Sequence, residues 1–379
     1  MGIEVQDIFR QYGPVYQQTH ALSREQLQAL EAIQTCRTAA LGGHVEVCDT
    51  CGVLQISYNS CRNRHCPKCQ ALRQARWVAE RTNDLLNVGY FHVVFTLPEA
   101  LNPIALQNPR VVYDLLFRAA ADTLTELAAN SEYLGARIGM TGVLHTWGQN
   151  LMYHPHLHVI VPGGGLTSID TWQPSRKKFF IPVKVLSRLF RGKFLAYLQA
   201  ARLEFHGAVE ALRDPAEFAA WLAPLYAKEW VVYCKPPFGN ARRVVAYLGR
   251  YTHRVAISNA RILRLEDGQV TFRWRDYRDG NQQKEMTVSA EEFIRRFLLH
   301  VLPPGFMRIR HYGFLSPRNK GTHLRRCQRL TRTLRPASVP RTTLELLQQL
   351  LGRDVTVCVI CGVGHLRRLR ASPAEPLTA

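Results

Sequence analysis

The stretch His154-Pro155-His156-Leu157-His158-Val159-Ile160-Val161-Pro162-Gly163 is a histidine-rich entry into an apolar strand. Taken with period 2, His156, His158 and Ile160 point to one face and Leu157, Val159 and Val161 to the other. Two imidazoles side by side on a β-surface can chelate one divalent ion; the competing reading is a pair of hydrogen-bonded sheet histidines. Upstream, Val143-Leu144-His145-Thr146-Trp147-Gly148 has the pattern of a partner strand joined by a short polar turn, which sets His145 opposite the pair as a third ligand. Downstream, Asn240 is placed to cap a basic helix over 241–254, in which Tyr247 and Tyr251 stand four apart and share a face. A hydroxyl beside a bound ion is a nucleophile in waiting, whereas in an anonymous helix the same spacing is an aromatic core stripe. Arg243, Arg250 and Arg254 flank that face with charge suited to phosphate.

The charge balance points the same way. Forty-nine Lys plus Arg against 29 Asp plus Glu gives a net charge of +20, with arginine in excess of lysine. A cationic surface of that size favours a polyanionic partner, most often nucleic acid. Apolar content of 46% and charged content of 21% exclude wholesale disorder in a chain of 379 residues. There is no secretory leader pattern and no apolar run long enough to span a bilayer, so the expectation is a cytoplasmic protein with no membrane partner. Its ten cysteines then belong to a reducing compartment, where clustering argues for metal rather than disulfides.

Along the chain, residues 1–33 show two helical patterns, the second opened by a capping-box signal at Ser23 and Gln26. Cys48-x-x-Cys51 and Cys66-x-x-Cys69 form two knuckles whose separation suits one tetrahedral Zn²⁺. Cys36, His44, Cys61 and His65 are left over in an order that suits a second, interleaved zinc, or small core cysteines with outward histidines. Arg62, Arg64 and Lys68 make the module basic and are its expected DNA contacts. A helix over 71–86 leads to the strand Tyr90 to Pro98, and an amphipathic helix follows over 109–129. The glycines at 163–165 lack the Lys-Ser/Thr of a phosphate loop. A helical insertion is expected at 166–228, then strands at 255–258, 262–266 and 270–277 with a hairpin turn at Asp267-Gly268. Near the end, Cys358-x-x-Cys361 with His365 has the look of half a knuckle.

Several of these motifs occur together in one known family. The zinc module ending Ser57-Tyr58-Asn59-Ser60-Cys61-Arg62-Asn63-Arg64-His65-Cys66-Pro67-Lys68-Cys69, the Phe95-Thr96-Leu97-Pro98 strand end, the His156-Leu157-His158 signature and the Tyr247-x-x-x-Tyr251 pair resemble the rolling-circle transposases of the insertion sequence 91 type, in the HUH endonuclease superfamily. The resemblance implies an α+β fold: a replication-initiator-like HUH nuclease domain with an antiparallel sheet, preceded by a small zinc-binding domain and followed by a basic C-terminal region. The corresponding division is 1–87, 88–302 and 303–379. It also implies Mg²⁺ or Mn²⁺ on His156 and His158, with His145 or alternatively Gln149 as third ligand. Tyr247 and Tyr251 would then attack single-stranded DNA at element ends and target, leaving a 5′-phosphotyrosine and a free 3′-OH. The alternatives are an HUH replication initiator or relaxase, a zinc-containing DNA-binding protein without catalysis, and a metal-dependent hydrolase that forms no covalent adduct.

Overall fold

The computed structural model describes residues 2–176, 180–238, 244, 249, 256–277, 279–334 and 342–369. Two helices open it, α1 (Val5–Thr19) and α2 (Arg24–Thr35). The expected capping box starts the second: Ser23 Oγ accepts from Gln26 N at 3.2 Å and Gln26 Oε1 from Ser23 N at 3.0 Å. A hairpin of β1 (Gly43–Cys48) and β2 (Leu54–Tyr58) leads to α3 (Pro67–Thr82). That helix begins four residues before the expected 71, because Cys66 caps it and Pro67 occupies its first turn.

The middle of the chain builds the main sheet and its cover. β3 (Tyr90–Thr96) is followed by α4 (Asn102–Gln107), α5 (Pro109–Ala129), β4 (Gly139–Trp147) and β5 (Tyr153–Pro162). A small ribbon, β6 (Gly164–Leu166) with β7 (Trp172–Pro174), precedes α6 (Val183–Gln199), α7 (Pro215–Ala227) and β8 (Val232–Phe238). Then come a meander, β9 (Ile262–Glu266), β10 (Gln269–Asp276) and β11 (Gln282–Ser289), and the helix α8 (Ala290–Leu298). The last elements are β12 (Ile309–Gly313), α9 (Arg325–Leu330), α10 (Thr343–Leu351) and β13 (Leu366–Arg368).

The main sheet has five antiparallel strands in the order β12-β4-β5-β3-β8, which puts the histidine strand β5 at its centre. Alternation divides it into two unlike faces. Phe91, Val93, Phe95, Leu144, Leu157 and Val159 are buried on one face against Leu116 and Phe117 of α5 and Phe190 and Phe194 of α6. Each such side chain contributes about 1.5–3 kcal/mol when fully buried. The 166–228 helices are therefore the lid of the core rather than a side branch. The other face carries His92, His145, His156 and His158 with Tyr90, Thr141 and Ile160.

A second core joins distant parts of the chain: Ile8 and Phe9 of α1 and Leu30 and Ile33 of α2 meet Val270 and Phe272 of β10 and Phe293 and Phe297 of α8. The turn between β9 and β10 falls at Asp267 (φ 48°) and Gly268 (φ 73°), the two left-handed positions that a tight Asp-Gly hairpin demands. The strand expected at 255–258 is not formed over Ala256–Ser258, and Val255 lies outside the described residues. Two pieces of the 303–379 segment enter sheets begun much earlier, β12 beside β4 and β13 beside β1. Among the described residues no helix is long and apolar enough to cross a membrane.

Candidate active site and zinc centres

The β4–β5 pairing sets His145 opposite His156 and Val143 opposite His158. Because paired residues share a face, three imidazoles converge: ring centroids lie 5.4 Å apart for His145 and His156, 4.5 Å for His145 and His158, and 4.9 Å for His156 and His158. One ligand nitrogen from each lies within 4.8 Å of the others. The turn that fixes this register is tight, with Gly148 N donating to Met152 O at 2.9 Å and Leu151 at φ 64°. His156 Nδ1 bonds His154 O at 2.7 Å, which fixes the ring and leaves Nε2 for the cluster. Burial holds His156 down at about 4 and His158 well below its ordinary value, so at neutral pH both present a lone pair rather than a charge. Neutral imidazoles fit a divalent ion, with a leaning toward Mn²⁺ because nitrogen is softer than Mg²⁺ prefers.

His92 belongs to the same cluster and was not singled out from sequence. Its Nε2 lies 2.8 Å from His158 Nδ1, with the two rings stacked 10° from parallel. It orients His158 from the neighbouring strand, as outer-shell partners of metal-binding histidines do. Even spacing puts His92 on the same face of β3 as Thr96, but only the β3–β5 pairing, with Thr96 opposite His156, brings that face to the cluster. Gln149, the alternative third ligand, donates its amide to Tyr277 Oη at 3.3 Å.

Tyr247, Tyr251, Arg243, Arg250 and Arg254 lie outside the described residues. Two residues of their segment are described. Val244 is buried on the histidine face with Tyr90, Val143 and Ile160. At Gly249 a Cβ would crowd Val78 Cγ2 of α3, so the backbone there lies close against the helix of the cysteine module.

The cysteines form two four-thiol sets, and they overturn the expected partition. Cys36, Cys61, Cys66 and Cys69 make one; Cys48, Cys51, Cys358 and Cys361 make the other. Cys69 Sγ is 3.6 Å from both Cys36 and Cys61 Sγ, while Cys48 is 3.6 Å from Cys361 and Cys51 3.9 Å from Cys358. The physical reason is where each knuckle sits. Cys66 and Cys69 open α3 beside Cys36 at the end of α2, whereas Cys48 and Cys51 occupy the β1–β2 turn, where the chain's end returns. β13 pairs with β1, Asp49 Oδ1 accepts from His365 N at 2.8 Å, and a Cβ on Gly364 would meet Cys48 Sγ at 2.4 Å. Gly364 N donates to Cys361 Sγ at 3.3 Å; backbone donors of this kind at Val363 and Gly364 pull the Cys361 thiol down to about 6, toward the thiolate a metal takes.

The two histidines expected in a second zinc stand elsewhere. His65 is buried, with Nε2 accepting from Leu302 N at 3.2 Å and Nδ1 3.1 Å from Asn63 Oδ1, and burial pushes it down to about 3. His44 Nε2 faces Glu46 at 3.6 Å.

Two of the expected DNA contacts are likewise internal. Arg64 donates to Phe306 O at 2.6 Å and Pro303 O at 2.8 Å, and Lys68 holds Glu4 at 2.5 Å and Gln6 Oε1 at 2.6 Å. Arg62 is exposed. Arg64→Ala is therefore expected to cost on the order of 3 kcal/mol in denaturant unfolding, by losing two charge-assisted bonds, and to leave the salt dependence of DNA binding unchanged. A lowered salt slope with unchanged stability would return Arg64 to the DNA surface.

Comparison with known proteins places this arrangement. The family described as "Putative transposase" matches residues 139–322, and the "Transposase zinc-binding domain" of insertion sequence 91 type matches residues 8–97. The protein named "Putative transposase y4qJ" of Sinorhizobium fredii is 53% identical over 375 residues, 96% of this chain and 94% of its own length. The chain belongs to the insertion sequence 91 family of transposases. The transposase for insertion sequence element IS801 of Pseudomonas savastanoi pv. phaseolicola is 28% identical over 344 residues, 89% of this chain and 82% of that one. Among solved structures, TrwC complexed with a 27-mer DNA comprising the recognition hairpin and the cleavage site aligns at 12% identity over 42% of this chain and 71% of its own, with a TM-score of 0.24.

In this transposase the four-thiol sets are the zinc-binding chemistry of the domain: thiolates in fours select a borderline-soft tetrahedral ion. The matched zinc-binding region ends at residue 97, yet Cys358 and Cys361 complete one of its sets.

Proposed function

We propose that this transposase cuts and rejoins single-stranded DNA at the ends of a mobile element by tyrosine attack, through 5′-phosphotyrosine intermediates, in rolling-circle transposition. One observation carries the reading. His145, His156 and His158 converge on a sheet face, and Val244 packs beside them on Val143 and Ile160. Tyr247 and Tyr251 follow Val244 by three and seven positions, the spacing of one helical face.

The three histidines would hold Mn²⁺ or Mg²⁺. Such an ion supplies a Lewis acid for the scissile phosphate and for charge on the departing oxygen. The protein supplies the nucleophile. A tyrosine Oη forms its bond to phosphorus as the bond from phosphorus to O3′ breaks; the electron pair leaves with O3′, which takes up a proton, and the phenol proton passes to solvent. The phosphodiester energy stays in the phosphotyrosine, so a later 3′-OH reverses the step and joins strands without a nucleotide cofactor. Arg243, Arg250 and Arg254 are placed by sequence to hold flanking phosphates and to favour the phenolate of a group whose ordinary pKa is about 10. Two nucleophiles allow two covalent links at once.

The test uses single-stranded element ends labelled at either terminus, Mn²⁺ and denaturing gels. The 3′-labelled fragment is expected to travel with protein and the 5′-labelled fragment to be released with a 3′-OH. His156→Ala is expected to slow cutting at least about 10³-fold, about 4 kcal/mol, while DNA affinity holds. Cutting with no protein-linked fragment rejects the tyrosine chemistry in favour of activated water. Full cutting by His156→Ala rejects the metal assignment.

A further inference from the structure

At the far end of the sheet from the histidines lies a cleft of about 770 Å³ lined by Thr322, His323, Arg325, Arg326 and Arg329, with Asp170 on its other wall. β5 runs four residues from His158 to Pro162, about 13 Å, before β6 reaches Leu166, which packs with Leu324 and Cys327 beneath the cleft. The cleft is thus a separate place from the candidate active site.

Its floor is rigid. Leu324 and Cys327 are buried against Leu86, Phe314 and Leu315, and Gln328 Nε2 donates to Asn83 O at 2.8 Å. Lys320 Nζ meets Asp84 at 2.6 Å, and Asn87 N donates to Thr333 Oγ1 at 2.8 Å. The helix enters through a π-turn at Lys320–Leu324, with Leu324 N bonded to Asn319 O, a geometry that recurs at functional sites. The charge is unbalanced. The carboxylate of Asp170 is already held by Arg137 at 3.4 Å and Arg326 at 3.3 Å. Arg325 and Arg329 are exposed, and among the described residues no carboxylate pairs with either. Four apart on α9, they place their Cβ atoms about 6 Å from each other, so two guanidinium groups can take neighbouring phosphates of one strand.

The lining also selects the form of nucleic acid. Among the described residues no Phe, Tyr or Trp borders the cleft, so stacking of unpaired bases would fall to His323 and the guanidinium planes alone, a poorer platform than single-stranded seats use. A duplex stacks its own bases and asks only for backbone contacts. We infer that this arginine cleft seats the phosphate backbone of duplex DNA beside the single-stranded segment that is cut. The inference rests on the DNA chemistry of the transposase family but not on the tyrosine reaction.

The experiment compares wild type with Arg325→Gln/Arg329→Gln in the full chain. Affinity is measured from 50 to 200 mM salt for a single strand and for the same strand with a flanking duplex. Losing two phosphate contacts is expected to lower the log–log salt slope for the duplex-bearing DNA by about 1.8. The slope for the single strand, the melting temperature and the cutting of single strands are expected to stay as in wild type. An unchanged duplex slope overturns the inference, as does an equal fall for both DNAs. Displacement of the duplex by inorganic phosphate at constant ionic strength, down to the affinity of the variant, overturns it too, since the cleft would then be a small-anion site. Failure of wild type to cut single strands sinks the tyrosine mechanism and leaves these binding arms readable.

Discussion

A chain carrying both Tyr247→Phe and Tyr251→Phe is expected to form no covalent adduct with a single-stranded element end, and its cutting rate to fall by on the order of 10⁴-fold, about 5 kcal/mol of transition-state stabilisation. The size follows from what is removed. Each substitution deletes one hydroxyl and keeps the ring, so the packing of Val244 on Val143 and Ile160 is undisturbed and DNA affinity is retained. A loss confined to rate therefore reports the nucleophile and not the fold. Either single variant keeps one nucleophile and is expected still to yield an adduct but to make no strand-transfer product that needs two simultaneous links. Gel analysis of both labels separates these products. An adduct persisting in the double variant would mean another nucleophile, and cutting at the wild-type rate without one would mean that water attacks.

What was legible in the sequence was whatever depends on short range. The period-2 pattern from His154 to Val161 fixed which residues share a face, and a short turn after Trp147 fixed His145 against His156. Asp267-Gly268 and Ser23 with Gln26 announce themselves because a backbone conformation or an orphan N–H demands those residue types. What was not legible depends on how the chain comes back. His92 reaches His158 only because β3 is the strand that pairs with β5, and no local spacing encodes that neighbour. Arg64 and Lys68 count as positive charge in a sequence, but in the fold their donors close on Phe306, Pro303 and Glu4, so they hold the cysteine module to the body rather than to a ligand. Among the described residues Arg325 and Arg329, in a stretch with no motif, close on no such carboxylate and line a cleft instead.

The cysteines show the same limit at its largest, and they give the sharpest test of the structure. Cys358→Ser/Cys361→Ser is expected to bind one zinc per chain where wild type binds two, read by native mass spectrometry. If Cys48, Cys51, Cys66 and Cys69 shared a single ion, the same variant would lose none. Structural zinc sites carry on the order of 10 kcal/mol of metal-linked folding free energy in small isolated domains, so losing this one releases the local structure it clamps. That structure is the β13–β1 pairing, where Glu46, Val47 and Cys48 face Arg368, Arg367 and Leu366, together with the Asp49 bonds to His365 and Arg367. Amide exchange is therefore expected to accelerate in β1, β2 and β13. The main sheet stands on its own core of Phe95, Phe117, Phe190 and Leu157 and should exchange as in wild type. The second set, Cys36 with Cys61, Cys66 and Cys69, shares a core with α1 and α8, so Cys36→Ser should instead loosen α3 and the N-terminal helices. Since α3 is the wall against which Gly249 rests, loss of that zinc is the one expected to reach the tyrosine segment and slow cutting, whereas loss of the Cys358 site should lower stability and leave the rate on single strands near that of wild type.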